Sequence, residues 1–110
     1  MNTFERGTDM QNKDWGKSYE DYSNSGVFSK EQLEKIKLAC DSTLNHLQVE
    51  MLAKAELSPL QMELIRVGYE KGFVYVQVKR LTQPGLTEED MDLIMKESEA
   101  LIESQKHILF

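Results

Sequence analysis

The sequence has little cysteine and no long apolar run, and both absences exclude whole classes of protein. A single cysteine, Cys40, rules out an intrachain disulfide and a zinc site built on several thiolates. No apolar run approaches the roughly 18 residues that a membrane-spanning helix needs. Residues 1–15 also lack the apolar core of a secretory signal, so we expect a cytoplasmic protein.

The sequence also has fewer positively than negatively charged residues. The 110 residues carry 13 Lys and Arg against 19 Asp and Glu, which gives a net charge of −6 at pH 7. This balance disfavours binding to nucleic acid by general charge attraction. The hydrophobic share of 40% and the charged share of 29% are ordinary for one soluble globular domain.

Three segments of the chain share a pattern with a period of 29 residues. Each opens with an apolar residue and a helix-capping hydroxyl residue, followed by apolar residues at helical spacing. The matching positions hold Phe28, Leu57 and Leu86; Ser29, Ser58 and Thr87; Leu33, Met62 and Met91; and Ile36, Ile65 and Ile94. Such a period is typical of stacked helical units. We therefore predict an all-α fold in which about three capped units over residues 28–110 form an antiparallel helical bundle.

Glycine predicts where the middle segment is interrupted. Gly72 suits a left-handed helix end, so we expect a break or kink there, and the repeat favours helix over strand for residues 73–78. In the first segment apolar residues keep helical spacing from Leu33 to Met51, which leaves a break near Thr43 open. The third segment lacks Gly and Pro after Gly85 and is predicted as one long helix. The predicted core is Leu33, Ile36, Cys40, Leu44, Leu47, Met51, Met62, Ile65, Tyr69, Phe73, Val76, Leu81, Met91, Ile94 and Leu101.

Residues 1–27 are polar and show no helical period, which predicts a flexible N-terminal arm. This arm nevertheless contains several aromatic residues, among them Trp15, Tyr19 and Tyr22. Because buried Trp and Tyr contribute strongly to interfaces, these side chains would anchor the arm either on the helical domain or on a partner protein.

The sequence shows no spacing typical of a catalytic or metal site. Gly16-Lys17-Ser18 resembles the end of a phosphate-binding loop, but Gln11 stands where that loop needs glycine. His46 and His107 lack the spacing of metal ligands, and no basic neighbour is expected to lower the pKa of Cys40. We therefore predict a non-enzymatic protein without metal or cofactor.

The predicted third helix carries an excess of acidic residues, which suggests a contact surface for a basic protein. Residues 87–103 hold seven acidic residues against one lysine. Complementary charge of this kind raises association rates and selects partners, although a solvated helix face is the alternative interpretation. The predicted partner-binding residues are Glu88, Glu89, Asp90, Asp92, Glu97 and Glu99, with Trp15, Tyr19 and Tyr22 as anchors.

DNA binding by a helix-turn-helix in the middle segment is an alternative function. Gly68, Gly72 and Val78 have the spacing of that motif, and the segment is locally basic. The candidate DNA-binding residues are Arg66, Lys71, Tyr75, Gln77, Lys79 and Arg80. Against this interpretation, the first and third segments lack both glycines, and the second helix would begin with residues poorly suited to reading base edges. A structural or assembly homodimer is the second alternative.

The stretches SKEQLEKIKLA, from Ser29, and SPLQMELIRVGYEKGF, from Ser58, resemble helical repeats of small uncharacterised proteins from Gram-positive phages and mobile elements. The shared pattern is Gln-Leu/Met-x-x-Ile-Arg/Lys, followed in the second stretch by Gly-x-x-x-Gly. The third segment departs from it with Asp90 and Met95. The resemblance transfers no activity. It implies a phage-borne or element-borne accessory protein, and with the acidic charge it favours an anti-defence inhibitor of anti-CRISPR type.

Overall fold

A computed structural model of the chain describes the backbone of residues 16–109 and the side chains of residues 16–106. Every regular element in this range is helical, so the all-α prediction is confirmed, and part of the strand-like stretch 73–78 lies in a helix. The elements are α1 (Tyr19–Asn24), α2 (Lys30–Cys40), α3 (His46–Leu52), α4 (Pro59–Glu70), α5 (Tyr75–Lys79), a 3-10 turn (Arg80–Thr82) and α6 (Glu88–Leu109).

Local hydrogen bonds explain where α2, α4 and α6 begin. The hydroxyl oxygens of Ser29, Ser58 and Thr87 each accept the backbone N–H three residues later, at 3.0–3.1 Å. In return, the side chain at that later position accepts the N–H of the capping residue, at 2.8–3.2 Å. These reciprocal pairs are capping boxes, and they satisfy amide groups that have no partner in the first helical turn. The three predicted helix starts are confirmed.

Two of the capping side chains also tie the helix starts to the loops that follow each helix pair. Gln32 Nε2 donates to two carbonyl oxygens in the loop after α3, at 3.0 and 2.8 Å. Gln61 Nε2 donates to the carbonyl oxygens of Leu81 and Gln83, at 3.2 and 2.7 Å. Both glutamines are buried, so each amide satisfies backbone acceptors that would otherwise lose their hydrogen bonds.

Helix α4 is the central element of the fold. It packs against α2, α3, α5, the 3-10 turn and α6. The fully buried apolar side chains around it are Ile36, Leu52, Leu57, Met62, Ile65, Val78 and Leu81. None of the other described elements covers the outer faces of α3, α5 and α6, and these faces carry most of the exposed apolar residues discussed below.

Three residues predicted to be buried are exposed. They are Leu47, Val76 and Leu101, which are 62%, 69% and 54% exposed. The chain breaks after α2 and again after α4, and each break restarts the helical phase, so that Val49 and Val78 point inward instead. Leu101 lies in the second half of α6, beyond the last buried position among the described side chains of that helix.

The N-terminal boundary also differs from the prediction. Helix α1 is capped by Ser18 and packs against α2, and its Tyr22 side chain is buried. The folded part therefore begins before residue 28, within the segment that was predicted as a flexible arm. Residues 1–15 of that segment lie outside the described residues.

Candidate protein-binding surface

A tight turn after α4 places Phe73 in the core. Gly72 has a φ of +98°, a left-handed conformation that only glycine adopts without steric cost. Gly72 N–H donates to the carbonyl of Tyr69 at 3.0 Å, and Phe73 N–H donates to that of Gly68 at 2.9 Å, which is a Schellman helix end. A Cβ on Gly68 would lie 2.7 Å from Cδ2 of Phe73. Gly72 therefore supplies the turn, and Gly68 leaves room for the Phe73 ring.

Because Phe73 turns inward, the residues that follow it turn outward. The side chains of Val74–Val76, which we call the exposed apolar run, are 55–69% exposed. Val74 occupies the N-cap position of α5 and makes no side-chain cap hydrogen bond. Gln77 Oε1 accepts the Val74 N–H at 2.9 Å, so only half of a capping box is present.

The matching position in the preceding helix pair shows what Val74 lacks. Asn45, 29 residues earlier, caps α3 with Oδ1, which accepts the Gln48 N–H at 2.9 Å, while Gln48 Oε1 accepts the Asn45 N–H at 2.9 Å. An apolar residue at an N-cap costs about 1 kcal/mol relative to such a cap. Val74 thus departs from the local rule at an exposed position, which is where functional surfaces are expected.

An open groove of about 640 Å³ lies beside the exposed apolar run, between α3 and the α4–α5 turn. We call it the apolar groove; its lining consists of Leu47, Met51, Tyr69, Phe73, Val74 and Tyr75, with Asn45, Gln48, Glu50 and Lys54 as polar members. Burial raises the pKa of the Tyr69 phenol, and the neighbouring Tyr75 raises it further, so Tyr69 is neutral at physiological pH. A concave apolar surface of this kind suits apolar side chains of a protein partner.

Charges of both signs flank the apolar groove. Glu50 and Lys54 line it, and Lys79 Nζ lies 5.7 Å from the ring centre of Tyr75. None of these three charged groups takes part in an ion pair of 4.0 Å or less within residues 16–106. They are therefore available to pair with groups on a protein that docks here.

The acidic residues predicted to bind a partner do lie together on α6, but four of the six already have partners within the chain. Asp90 completes the capping box of α6. The ion pairs are Asp92 with Lys96 at 3.0 Å, Glu97 with Arg80 at 2.9 Å and Glu99 with Lys71 at 3.0 Å. Glu88 and Glu89 are exposed and make no ion pair with any described residue. They are the acids of this set that a partner would meet first.

The predicted aromatic anchors have different surroundings. Trp15 lies outside the described residues, and Tyr19 is half-buried with Lys37 Nζ 5.3 Å from its ring centre. Tyr22 is 5% exposed and meets Phe28 edge to face, with ring centres 6.2 Å apart. Burial, followed by the charge of Glu50, raises the pKa of Tyr22 to about 12. Tyr22 therefore anchors α1 on the domain itself, which is one of the two uses predicted for these residues.

The six candidate DNA-binding residues lie on the α4–α5 segment, where most of the cations are paired with acids. The pairs are Arg66 with Glu70 at 3.0 Å, Lys71 with Glu99 and Arg80 with Glu97. Gln77 is half-buried at the start of α5. Tyr75 and Lys79 are exposed, on a helix of only five residues. Such a short helix offers few groups to read base edges in a groove.

Within residues 16–106 there is no group of three or more His, Cys, Asp or Glu suited to a metal ion. A cleft of about 370 Å³ brings Cys40 and His46 into one lining, a proximity that sequence spacing did not predict. Burial, followed by the charge of Asp41, raises the pKa of the Cys40 thiol, which disfavours the reactive thiolate. This cleft therefore lacks an activated nucleophile.

Comparison with known proteins gives no match: no family model, curated protein or solved structure is similar to this chain. Among the helices of residues 16–109, none combines the length and the apolar character needed to cross a membrane.

Sequence reasoning missed the apolar groove and the exposed apolar run because it placed Leu47 and Val76 in the core. A signal was nevertheless present, since Val74 falls in the same column of the repeat as Asn45. A valine in a column that caps a helix indicates an exposed apolar residue. That inference requires the helix breaks after α2 and α4, which the helical spacing of the first segment left open.

Proposed function

We propose that this protein is a non-enzymatic protein-binding module that docks through the apolar groove and the exposed apolar run. The observation that carries the proposal is Val74, an exposed valine at an N-cap position. Full burial of a valine side chain contributes roughly 1.5–3 kcal/mol, which exceeds the loss of about 1 kcal/mol at the cap. A partner that covers this surface would therefore offset the local cost of Val74.

Capture from a lysate of the host tests this proposal when it uses a matched pair of variants. Val76→Asp places a charge in the exposed apolar run at the edge of the groove, and Leu60→Asp places one at the same second helical position of α4, outside both the run and the groove lining. Aspartate is tolerated in the first turn of a helix, so both variants should fold. We expect Leu60→Asp to capture the same protein as the wild type and Val76→Asp to lose it. Equal capture by both variants would refute the docking surface.

We also propose that the capped segments are units of one repeat, packed as an antiparallel bundle. Support comes from the 29-residue offset, which separates the starts of α2 and α4 and again the starts of α3 and α5. The third segment departs from the pattern, because α6 runs on as one helix where the other segments break.

The finer proposal is that the partner is a basic, nucleic-acid-handling protein of a host defence system, inhibited in the host cytoplasm in the manner of an anti-CRISPR. The resemblance to phage and mobile-element repeats supports it, as does the net charge of −6. Glu88, Asp92, Glu99 and Glu103 share one face of α6 by their helical spacing, which gives that partner an acidic surface.

Neutralising Glu88 and Glu89, the two acids of the predicted set that make no ion pair with a described residue, tests the finer proposal. Glu88→Gln with Glu89→Gln leaves the capping box and the three ion pairs of α6 in place. We expect this double variant to weaken binding of the captured basic protein, and the double variant Glu31→Gln with Glu34→Gln, on exposed positions of α2, to leave it unchanged. Equal binding by all three proteins would remove Glu88 and Glu89 from the proposed contact.

A DNA-binding regulator is the alternative function. The observation that favours it is the order of helix, glycine turn and second helix, with Tyr75 and Lys79 exposed on α5. A gel shift at low salt with DNA from the neighbourhood of the gene separates the two functions. Sequence-dependent binding that weakens steeply with salt and is lost in Lys79→Gln would favour the regulator.

A further inference from the structure

We propose that the occupant of the apolar groove is the same surface of a second copy of this chain, joined to it by a two-fold axis. This inference rests on the proposed function, because it assigns the apolar groove and the exposed apolar run to a second copy and leaves the acidic face of α6 to the basic protein. The pair would leave Glu88 and Glu89 of both copies outside the contact, since neither lines the groove.

The first support is shape. In a two-fold contact the same patch lies on both sides, so the patch must be complementary to itself. This face carries both halves of such a contact: the apolar groove and, at its edge, the exposed apolar run. Val74 and Tyr75 belong to both features. The run of one copy would therefore enter the groove of the other, and the reverse contact would form at the same time.

The second support is charge. Glu50 and Lys54 have opposite signs, line the same groove and lack ion-pair partners within residues 16–106. A two-fold axis between them brings Glu50 of one copy opposite Lys54 of the other, and it does so twice. A strongly acidic or strongly basic partner would match one of these groups and oppose the other. A second copy matches both.

Sedimentation of the full chain at micromolar concentrations measures the predicted pair. We expect the wild type and Leu60→Asp to sediment as dimers and Val76→Asp as a monomer, with unchanged circular dichroism in all three. A wild-type chain that stays monomeric would overturn the inference. Because Val76 is the most exposed residue of the run, its substitution leaves the core untouched.

A charge exchange then identifies the contact as symmetric. Glu50→Lys puts two lysines opposite two lysines, and Lys54→Glu puts two glutamates opposite two glutamates, so each variant alone should dimerise at least about tenfold more weakly. When the two variants are mixed, every facing pair is again of opposite sign, and a heterodimer should form with restored affinity. If the mixture associates no better than its components, the symmetric contact is wrong.

The outcomes separate this inference from the proposed function. If the wild type is monomeric and yet captures a protein that Val76→Asp does not capture, the docking surface stands and the second copy is not its occupant. If the charge exchange restores dimers while Val76→Asp still captures the lysate protein, the symmetric pair stands. Binding of a foreign protein through the groove would then be wrong.

Discussion

The α2–α3 pair and the α4–α5 pair begin with the same local chemistry and end with different surfaces. Each first helix starts at a serine capping box whose glutamine is buried and bonds to carbonyl oxygens of a later loop. Each second helix starts 29 residues from its counterpart, at Asn45 and Val74. The two pairs differ in the turn that joins their helices.

In the first pair the turn is closed by polar side chains. Ser42 Oγ donates to the carbonyl of Ala39 at 2.6 Å and accepts the Leu44 N–H at 3.2 Å, and Leu44 remains half-buried. In the second pair Gly68 and Gly72 let Phe73 reach the core. Capping thus sets where the helices begin, whereas the turn between them decides which apolar side chains face water.

The two pairs should differ most in how much the first inward-facing residue after each turn contributes to the free energy of unfolding. Phe73→Ala should lower the free energy of unfolding by about 3–5 kcal/mol, since the ring is buried. Leu44→Ala, at the matching position, should cost clearly less because Leu44 is half-buried. Urea denaturation measures both. Equal losses would mean that the two turns contribute alike to the core.

The buried capping glutamines should contribute equally to stability in both pairs. They therefore serve as a control for the difference expected at Phe73 and Leu44. Gln61→Glu keeps the acceptor of the capping box but replaces the amide donor by a carboxylate oxygen facing two carbonyls, at a cost of about 3 kcal/mol. Gln32→Glu should cost a similar amount. Thermal unfolding of both variants tests this, and a loss confined to one of them would contradict the shared role.

Gly68→Ala should reverse the usual effect of this substitution within a helix. Alanine normally stabilises a helix interior by about 1 kcal/mol relative to glycine. Here the new Cβ would lie 2.7 Å from the Phe73 ring, so the ring must move and we expect a net loss of about 1–3 kcal/mol. The same substitution in a Phe73→Leu background should cost less. A gain in stability in the wild-type background would show that the Phe73 ring moves at little energetic cost.

Val74→Asn gives the second pair the same type of N-cap residue as the first. It should raise stability and weaken binding at the same time. The new cap should raise the free energy of unfolding by about 1 kcal/mol, because Gln77 already supplies the other half of a capping box. Association through the apolar groove should weaken at the same time. Denaturation and sedimentation measure the two effects, and stronger association in the stabilised variant would exclude Val74 from the contact.

The smallest effect concerns alkaline pH, where Tyr22 on α1, which packs against the first pair, has a more strongly raised pKa than Tyr69 in the second pair. The pKa of Tyr22 is raised to about 12, and that of Tyr69 in the second pair is raised as well. Because the unfolded chain loses the phenol proton near pH 10, the stabilisation is complete below that pH and is lost as pH rises toward about 12. Denaturation between these values should show a shallower decline in Tyr22→Phe than in Tyr69→Phe. Equal declines of stability with pH in the two variants would contradict the larger pKa shift of Tyr22.

The helix starts and the all-helical fold could be predicted because capping boxes form within four residues of each other. The parts of the candidate site that sequence missed depend on contacts between distant residues. Leu47 and Val76 continue an apolar pattern and look like core positions, until the helix breaks rotate them outward. Tyr22 likewise looks like part of a solvated arm, but the core beside α2 has room for its ring.

The starts of α2, α4 and α6 and the helix end at Gly72 follow from the sequence alone, because these features arise from hydrogen bonds and backbone sterics over a few residues. Which apolar side chains remain in water depends on the tertiary structure. That choice depends on which neighbours fill the core first: Phe73 and Val78 reach it, and the residues between them are left at the edge of a groove, beside an unpaired Glu50 and Lys54 in the described part of the chain.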